Sequence, residues 1–440
     1  MRISPESRLY LLGAVLLVAL TICSRNFGDR GGPYFMAALT VACIVYLLAI
    51  RELFRRSDAR TTPRFPRRIV VIGLILAAAW HIAFLRLPPG PDDDIHRYVW
   101  DGRLQRLGYN PYLVIPSDPG VKKLYTGETR TLNNPDLPSP YPPGAQLFFR
   151  AVTAIHESVF AFKLAFVLCA FGIALVLLDL LGTSGSGGYL VLAYAWNPLL
   201  AVEVAGSGHI DIFGALLLVI SGAALARRWR MIAALAFGLA VAVKFLPIVL
   251  LPLYWKKVRI RDAALAGTAV GLLYVPFLDH GHIPTGSLGT YVQSFRFNGP
   301  LFAALARVAP PLLLTGVAVL AGLVTAIWLR RPESACSPDS FAWPMAASLL
   351  CAPVVFPWYL LWLLPFLTSA STLLIALWTM SIIPTYVQWH LRALGQGWGA
   401  LPGWVMLLEY GCLAIAAAVI AFRRITRPPA PLKYSRDGAE

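Results

Sequence analysis

A chain of 440 residues that is 58% hydrophobic and only 14% charged is too apolar for ordinary soluble domains, which sit near ~45–50% apolar. Its net charge of +16 would suggest nucleic acid in a soluble protein. Here the basic residues gather in short hinges between apolar runs, which sets nucleic acid aside and reads as a membrane-topology signal. The cysteines at 23, 43, 169, 336, 351 and 412 are scattered through apolar runs without CxxC or zinc-like spacing, which excludes a disulfide framework or a zinc site.

Apolar runs of roughly 17–22 residues recur along the chain, each long enough to cross a bilayer as a helix. Period-2 alternation is absent, so the spans are helices rather than barrel strands. The first run, 9–23, has no small-x-small cleavage pattern before Ser24, and an uncleaved helix is expected rather than a signal peptide. Spans at 34–50 and 69–85 follow, and the arginine-rich hinge 51–68 between them is expected to be cytoplasmic. That sends residue 86 outward. The proline-rich stretch 86–144, with Asp92-Asp93-Asp94 and Asn133-Asn134-Pro135-Asp136, is too polar for lipid and is the only large soluble segment. Tyr141-Pro142-Pro143-Gly144 suits a helix entry, and 145–156 alternates as an amphipathic surface helix.

Spans are then expected at 159–181, 189–204 and 209–226, followed by a pair of short helices over 231–255 hinged near Lys244-Phe245-Leu246-Pro247. Spans at 263–278 and 311–329 flank a second outer loop, 279–299, and helices at 341–354, 357–368, 370–387 and 401–422 complete the chain. The expectation is an all-α polytopic membrane protein of about twelve to fourteen transmembrane helices. It divides into N-terminal helices at 1–85, an external loop with surface helices at 86–158, a helical bundle at 159–422 and a cytoplasmic tail at 423–440.

Three consecutive aspartates after a span are the strongest chemical signal. They suit a general base, a divalent-metal site or an acidic helix start. Lys244, an ionisable residue in an apolar hinge, is the best intramembrane cation, and Arg97 and Arg296 are outer-face candidates for holding a phosphate. Glu203, His209 and Asp211 cluster at a helix–helix turn, where they contact hydroxyl groups, cap a helix or, as a His with two carboxylates, bind a metal, although the spacing is not distinctive. Trp358, Tyr359 and Trp362 fit bilayer anchoring as well as stacking on a sugar.

The string from Asp92 through Trp100-Asp101-Gly102-Arg103 to Gly108-Tyr109-Asn110-Pro111-Tyr112 resembles the first external loop of GT-C superfamily glycosyltransferases, most closely the bacterial polyprenol-phosphate-mannose-dependent mannosyltransferase branch. Tyr141-Pro142-Pro143-Gly144, Trp196-Asn197-Pro198 with Glu203, Gly208-His209-Ile210-Asp211, Lys244 with Pro247, and Pro357-Trp358-Tyr359-Leu360-Leu361-Trp362 are similar to further family patterns in the same order. The resemblance implies transfer of a hexose, mannose by branch, from a polyprenyl-phosphate donor to a glycan or lipid acceptor hydroxyl, with inversion. The site would lie on the outer face of the bacterial cytoplasmic membrane, with both termini cytoplasmic.

By the same resemblance the base falls within Asp92 to Asp94, with Asp94 first and Asp93 second. The candidate substrate-binding set is Asp92, Arg97, Tyr98, Asp101, Tyr141, Glu203, His209, Asp211, Lys244 and Arg296. No cofactor is demanded, but a divalent cation, magnesium or manganese, on Asp93 and Asp94 stays open. The competing reading is a transporter or flippase of a lipid-linked sugar, which Lys244 in its Pro-broken hairpin fits and the outer aspartates do not.

Overall fold

The computed structural model of the protein describes residues 4–57, 65–90, 93–185, 187–330, 337–397 and 401–426, so Asp92 and most of the expected tail at 423–440 lie outside the described residues. Among these residues the chain is all-helical, with two isolated β-bridges and no strand. The first three helices, α1 (Pro5–Arg25), α2 (Pro33–Ser57) and α3 (Arg67–Leu85), are continuous apolar spans. Two of them begin on a proline, whose fixed φ and missing N–H suit a first turn.

The segment between α3 and the next span folds back on itself. α4 (Asp94–Arg106) and α5 (Pro143–Ile155) pack together there, joined by short 3₁₀ turns. α4 is not an ordinary surface helix, because every residue from Ile95 to Gly102 is buried. Its buried ion pair is held in a polar network. Asp101 accepts from Arg97, Ser139 and Gln146, and Arg97 also donates to the carbonyls of Asn134 and Leu137, tying the proline-rich loop to the helix.

α6 (Val159–Thr183) returns into the bundle. The next expected span, 189–204, is instead broken: α7 (Val191–Ala195) and a π-helical turn (Leu200–Ser207) meet at about 60° across Trp196-Asn197-Pro198. The break is held from both sides. Trp196 Nε1 donates to the Gly73 carbonyl at 2.9 Å, and Asn197 both accepts from Leu199 N and donates to Thr379. After Gly208, in the left-handed region at φ 79°, come α8 (Asp211–Ala226) and α9 (Arg230–Val243), too short to be full spans. The expected break at Lys244 to Pro247 is present. α9 ends at Val243, Lys244 is extended, and a 3₁₀ turn leads into α10 (Leu251–Tyr254).

The remainder comprises α11 (Ile260–Leu272), α12 (Leu288–Ser294), α13 (Pro300–Leu305), α14 (Pro311–Leu329), α15 (Pro338–Leu350), α16 (Leu373–Ser381), α17 (Val387–Ala393) and α18 (Gly403–Thr426). Among the described residues eight helical segments are long and apolar enough to cross a membrane, nine if the bent pair counts as one, with α8 and α9 as shorter apolar helices. For this multi-pass membrane protein that is fewer long spans among the described residues than the twelve to fourteen its hydropathy suggests. The expected helix at 357–368 is a run of buried 3₁₀ turns, because Pro357 and Pro365 interrupt it. Those turns, the π turn, the Lys244 break and the start of α4 converge at one end of the bundle.

Candidate active site

A cavity of about 940 Å³ opens where these irregular segments meet. Asp94 stands at the start of α4 with its carboxylate facing the cavity, and Asn133 donates to its Oδ1 at 2.5 Å. Burial pushes the Asp94 carboxyl above its usual range, against the opposing pull of His209, Lys244, Tyr141 and Asn133.

Asp93 also reaches the cavity wall, but its oxygens are occupied. Oδ1 pairs with Arg30 at 2.9 Å, and Oδ2 accepts from Gly90 N at 2.7 Å. Arg30, buried in the α1–α2 turn, also donates to Ser207 at 2.5 Å. Its charge thereby fastens three separate segments of the chain together. Among the described residues no group of three or more His, Cys, Asp or Glu could hold a metal ion, and a cation on Asp93 and Asp94 would meet Asp93 oxygens already engaged by Arg30 and Gly90.

The π turn aims Glu203 inward and the left-handed Gly208 then swings the chain so that His209 meets it. A side chain at position 208 would collide with Ile95. His209 Nε2 lies 3.0 Å from Glu203 Oε2 and Nδ1 lies 3.9 Å from Asp94 Oδ2. Tyr386 donates from its hydroxyl to the other Glu203 oxygen. Trp358 stacks on the imidazole at 4.0 Å with an interplanar angle of 7°.

Across the cavity the extended Lys244 places its ammonium 2.7 Å from Asp211 Oδ1, an oxygen that also accepts from Trp362 Nε1 at 2.7 Å. The same ammonium lies 3.7 Å from the centre of the Tyr359 ring, whose hydroxyl meets that of Tyr291 at 2.5 Å. Lys244 and Asp94 thus bring a cation and a carboxylate to one cavity, whose lining also includes Asp136, Arg296 and Arg392. Aromatic side chains form the wall beside them.

The other sequence-derived candidates are placed as follows. Tyr141 lines the cavity beside Asp94. Tyr98 is fully buried, stacked on Phe149 at 4.5 Å, and Asp101 is fully buried among its polar partners, so both act behind the wall. Arg97 reaches the wall with its guanidinium committed to Asp101 and two carbonyls. Glu203 and Asp211 are buried and contact His209 and Lys244, which line the cavity. Arg296 is at the exposed rim, donating to the carbonyls of Val292, Gln293 and Phe295.

Sequence reasoning missed Arg30, Tyr291 and Tyr386. The one available signal was a charge in the short α1–α2 turn, flanked by Asp29 and glycines. The aromatic triplet at 358–362, for which bilayer anchoring was an equal alternative, lies in the interior.

Residues 17–258 match a family model described as alpha-(1->6)-mannopyranosyltransferase, N-terminal domain. The matched stretch contains Arg30, Asp94, Glu203, His209, Asp211 and Lys244, while the aromatic wall from Tyr291 onward lies beyond it. No curated protein sequence matches the chain. Among solved structures it is similar to that of ArnT from Cupriavidus metallidurans bound to undecaprenyl phosphate, at 16% identity and a TM-score of 0.45. That similarity covers 80% of this chain and 63% of the other, so the chain spans less than two thirds of its length.

Proposed function

The chain belongs to the alpha-(1->6)-mannopyranosyltransferase family, and from that premise we propose that it transfers a hexose, mannose in the first instance, from a polyprenyl-phosphate donor to a hydroxyl of a glycan or lipid acceptor. The reaction would take place at the outer face of the bacterial cytoplasmic membrane, with the chain termini on the cytoplasmic side. The observation that carries this reading is the opposition of Asp94 and Lys244 across one cavity at the irregular end of the bundle.

In this reading the acceptor oxygen attacks the anomeric carbon and its proton passes to an Asp94 carboxylate oxygen. The bond from the anomeric carbon to the phosphate oxygen breaks, and its electron pair leaves with the phosphate. Attack from the opposite face converts a β-linked donor into an α product, in keeping with the linkage in the family's description. Lys244 offsets the charge gathering on the leaving phosphate, while Asp211 and the Tyr359 ring hold its ammonium in place. A raised carboxyl is a stronger base once ionised, which suits a hydroxyl acceptor.

The test uses purified protein in lipid vesicles with labelled polyprenyl-phosphate-mannose and an envelope extract as acceptor. Wild type is expected to release free polyprenyl phosphate, and Asp94→Asn to do so roughly 10²–10⁴-fold more slowly, the range for a positioned general base. Equal release by both proteins would remove Asp94 from the role. Inertness of wild type with every polyprenyl-phosphate sugar offered would overturn the transferase reading.

A further inference from the structure

His209 is enclosed in a way that a substrate contact alone does not explain. It is 1% exposed, and neither ring nitrogen makes a hydrogen bond of acceptable geometry, although each faces a carboxylate. Glu203 Oε2 stands 3.0 Å from Nε2, Asp94 Oδ2 stands 3.9 Å from Nδ1, and the Trp358 indole covers one face. A neutral imidazole has one N–H, so its other nitrogen would turn a lone pair toward a carboxylate in a buried site. An imidazolium has a close counter-ion on one edge, a second carboxylate on the other and an aromatic face that attracts a cation. Glu203 is itself held by the Tyr386 hydroxyl, so the counter-ion is fixed.

Resting on the assignment of Asp94 as base, we propose that His209 is a positioning residue: kept as an imidazolium by Glu203, it holds Asp94 as a carboxylate inside an apolar cavity, where burial alone favours the protonated acid.

The neighbouring charges leave this task to His209. Asp93, the other acid at the start of α4, is paired with Arg30. Lys244 is the second cation acting on Asp94, but it stands in contact with Asp211. Tyr141 and Asn133 complete the polar surroundings of Asp94. The directions of titration agree with the geometry. Burial raises Asp94, and His209 is the largest influence opposing it. Burial lowers His209, but Glu203, Asp94 and Asp93 together bring it above its ordinary value. The sign of the effect follows. Without the imidazolium the Asp94 carboxyl moves higher still, so the base is lost at a higher pH as the medium is acidified.

The experiment is a pH-dependent infrared titration of the purified full chain in lipid. The carboxylic-acid C=O band missing from Asp94→Asn identifies Asp94 without any donor or acceptor present. In His209→Gln that band should persist to a pH higher by about one to three units, the range for loss of an opposite charge at this separation. The acid limb of turnover should move with it. Glu203→Gln leaves the imidazole packed but removes its counter-ion, so it should shift the band in the same direction, and it carries the test if His209→Gln does not fold. A band that titrates as in wild type in the folded variants overturns the proposal. Should Asp94→Asn turn over normally, the base assignment fails instead, whatever His209 does to the band.

Discussion

The two walls of the cavity are built on different principles. The wall contributed by the first 258 residues, the stretch matched by the family model, is ionic: Arg30 on Asp93, His209 between Glu203 and Asp94, Lys244 on Asp211. The wall from Tyr291 to Arg392 is largely aromatic, laid down by 3₁₀ turns and short helices, and of the two arginines that line it, Arg296 and Arg392, the first sits exposed on backbone carbonyls. Buried ion pairs fix charge rigidly but tolerate no loss of a partner, whereas stacked rings give shape and can be exchanged at modest cost. The first wall is therefore suited to the chemical step and the second to holding and choosing what enters.

Breaking the ionic wall at Arg30 should have the largest effect. Arg30→Met leaves Asp93 buried without its cation and Ser207 without its donor, and removal of one partner of a buried pair costs about 3–5 kcal/mol. The measurement is thermal unfolding in detergent. A melting temperature unchanged from wild type would show that the network at the α1–α2 turn does not hold the site together. Lys244→Met comes next. It too leaves a buried carboxylate, Asp211, without its cation, but Lys244 is a quarter exposed where Arg30 is buried and Asp211 keeps its Trp362 donor, so the loss of stability should be smaller. Loss of charge opposite the leaving phosphate should slow kcat roughly 10²-fold, the scale for one lost stabilising donor. A rise in KM at unchanged kcat would instead place the lysine in ground-state binding.

The contrast between the walls also explains what was legible in the sequence. Uninterrupted spans such as α1, α3, α6 and α14 are carried by hydropathy alone, and the break at Lys244 is visible because a cation and a proline interrupt an apolar run. The 60° bend at Pro198 and the turns at 357–366 sit in stretches just as apolar as the true spans, so hydropathy counts them as helices. Asp94 stands out as one of three consecutive aspartates after a span, Glu203 and His209 as a cluster at a helix–helix turn, and Lys244 as a charge where charge is costly. Their pairings did not, because Arg30 finds Asp93 across 63 residues and Glu203 finds Tyr386 across 183, and local patterns carry no such information. Arg97 and Asp101 show the reverse case. Their i, i+4 spacing on a helix is a local signal of a pair, passed over in favour of substrate binding, and the structure pairs them at 3.1 Å.

On the aromatic wall the effects should be smaller. Tyr359→Phe removes the hydroxyl that meets Tyr291 while keeping the ring beneath the Lys244 ammonium. The expected cost is about 1 kcal/mol in stability, the net worth of one hydrogen bond, with turnover within a few-fold of wild type. Tyr359→Leu removes the ring as well and should lower turnover further by freeing the ammonium. Equal turnover in the two variants would mean that the cation–π contact does not orient Lys244.

The smallest effect is expected at Arg296, and it separates the sequence's suggestion from the structure's. As a phosphate clamp its loss would raise KM for the donor at least tenfold and flatten the salt dependence, because an exposed guanidinium reaching an anion is the contact that ions screen. In the structure its guanidinium is instead spent on the last carbonyls of α12, at 2.6 Å from Gln293 and 2.6 Å from Phe295, and packs over the Phe302 ring. A cation at a helix C-terminus contributes about 0.3–1 kcal/mol at an exposed position. Arg296→Gln should therefore soften the rim slightly, seen as faster amide exchange in α12, while the donor KM and its salt dependence stay near wild type. If the KM rises tenfold, the guanidinium leaves those carbonyls when donor binds, and the aromatic wall carries a share of the charge handling that its resting geometry assigns to Lys244.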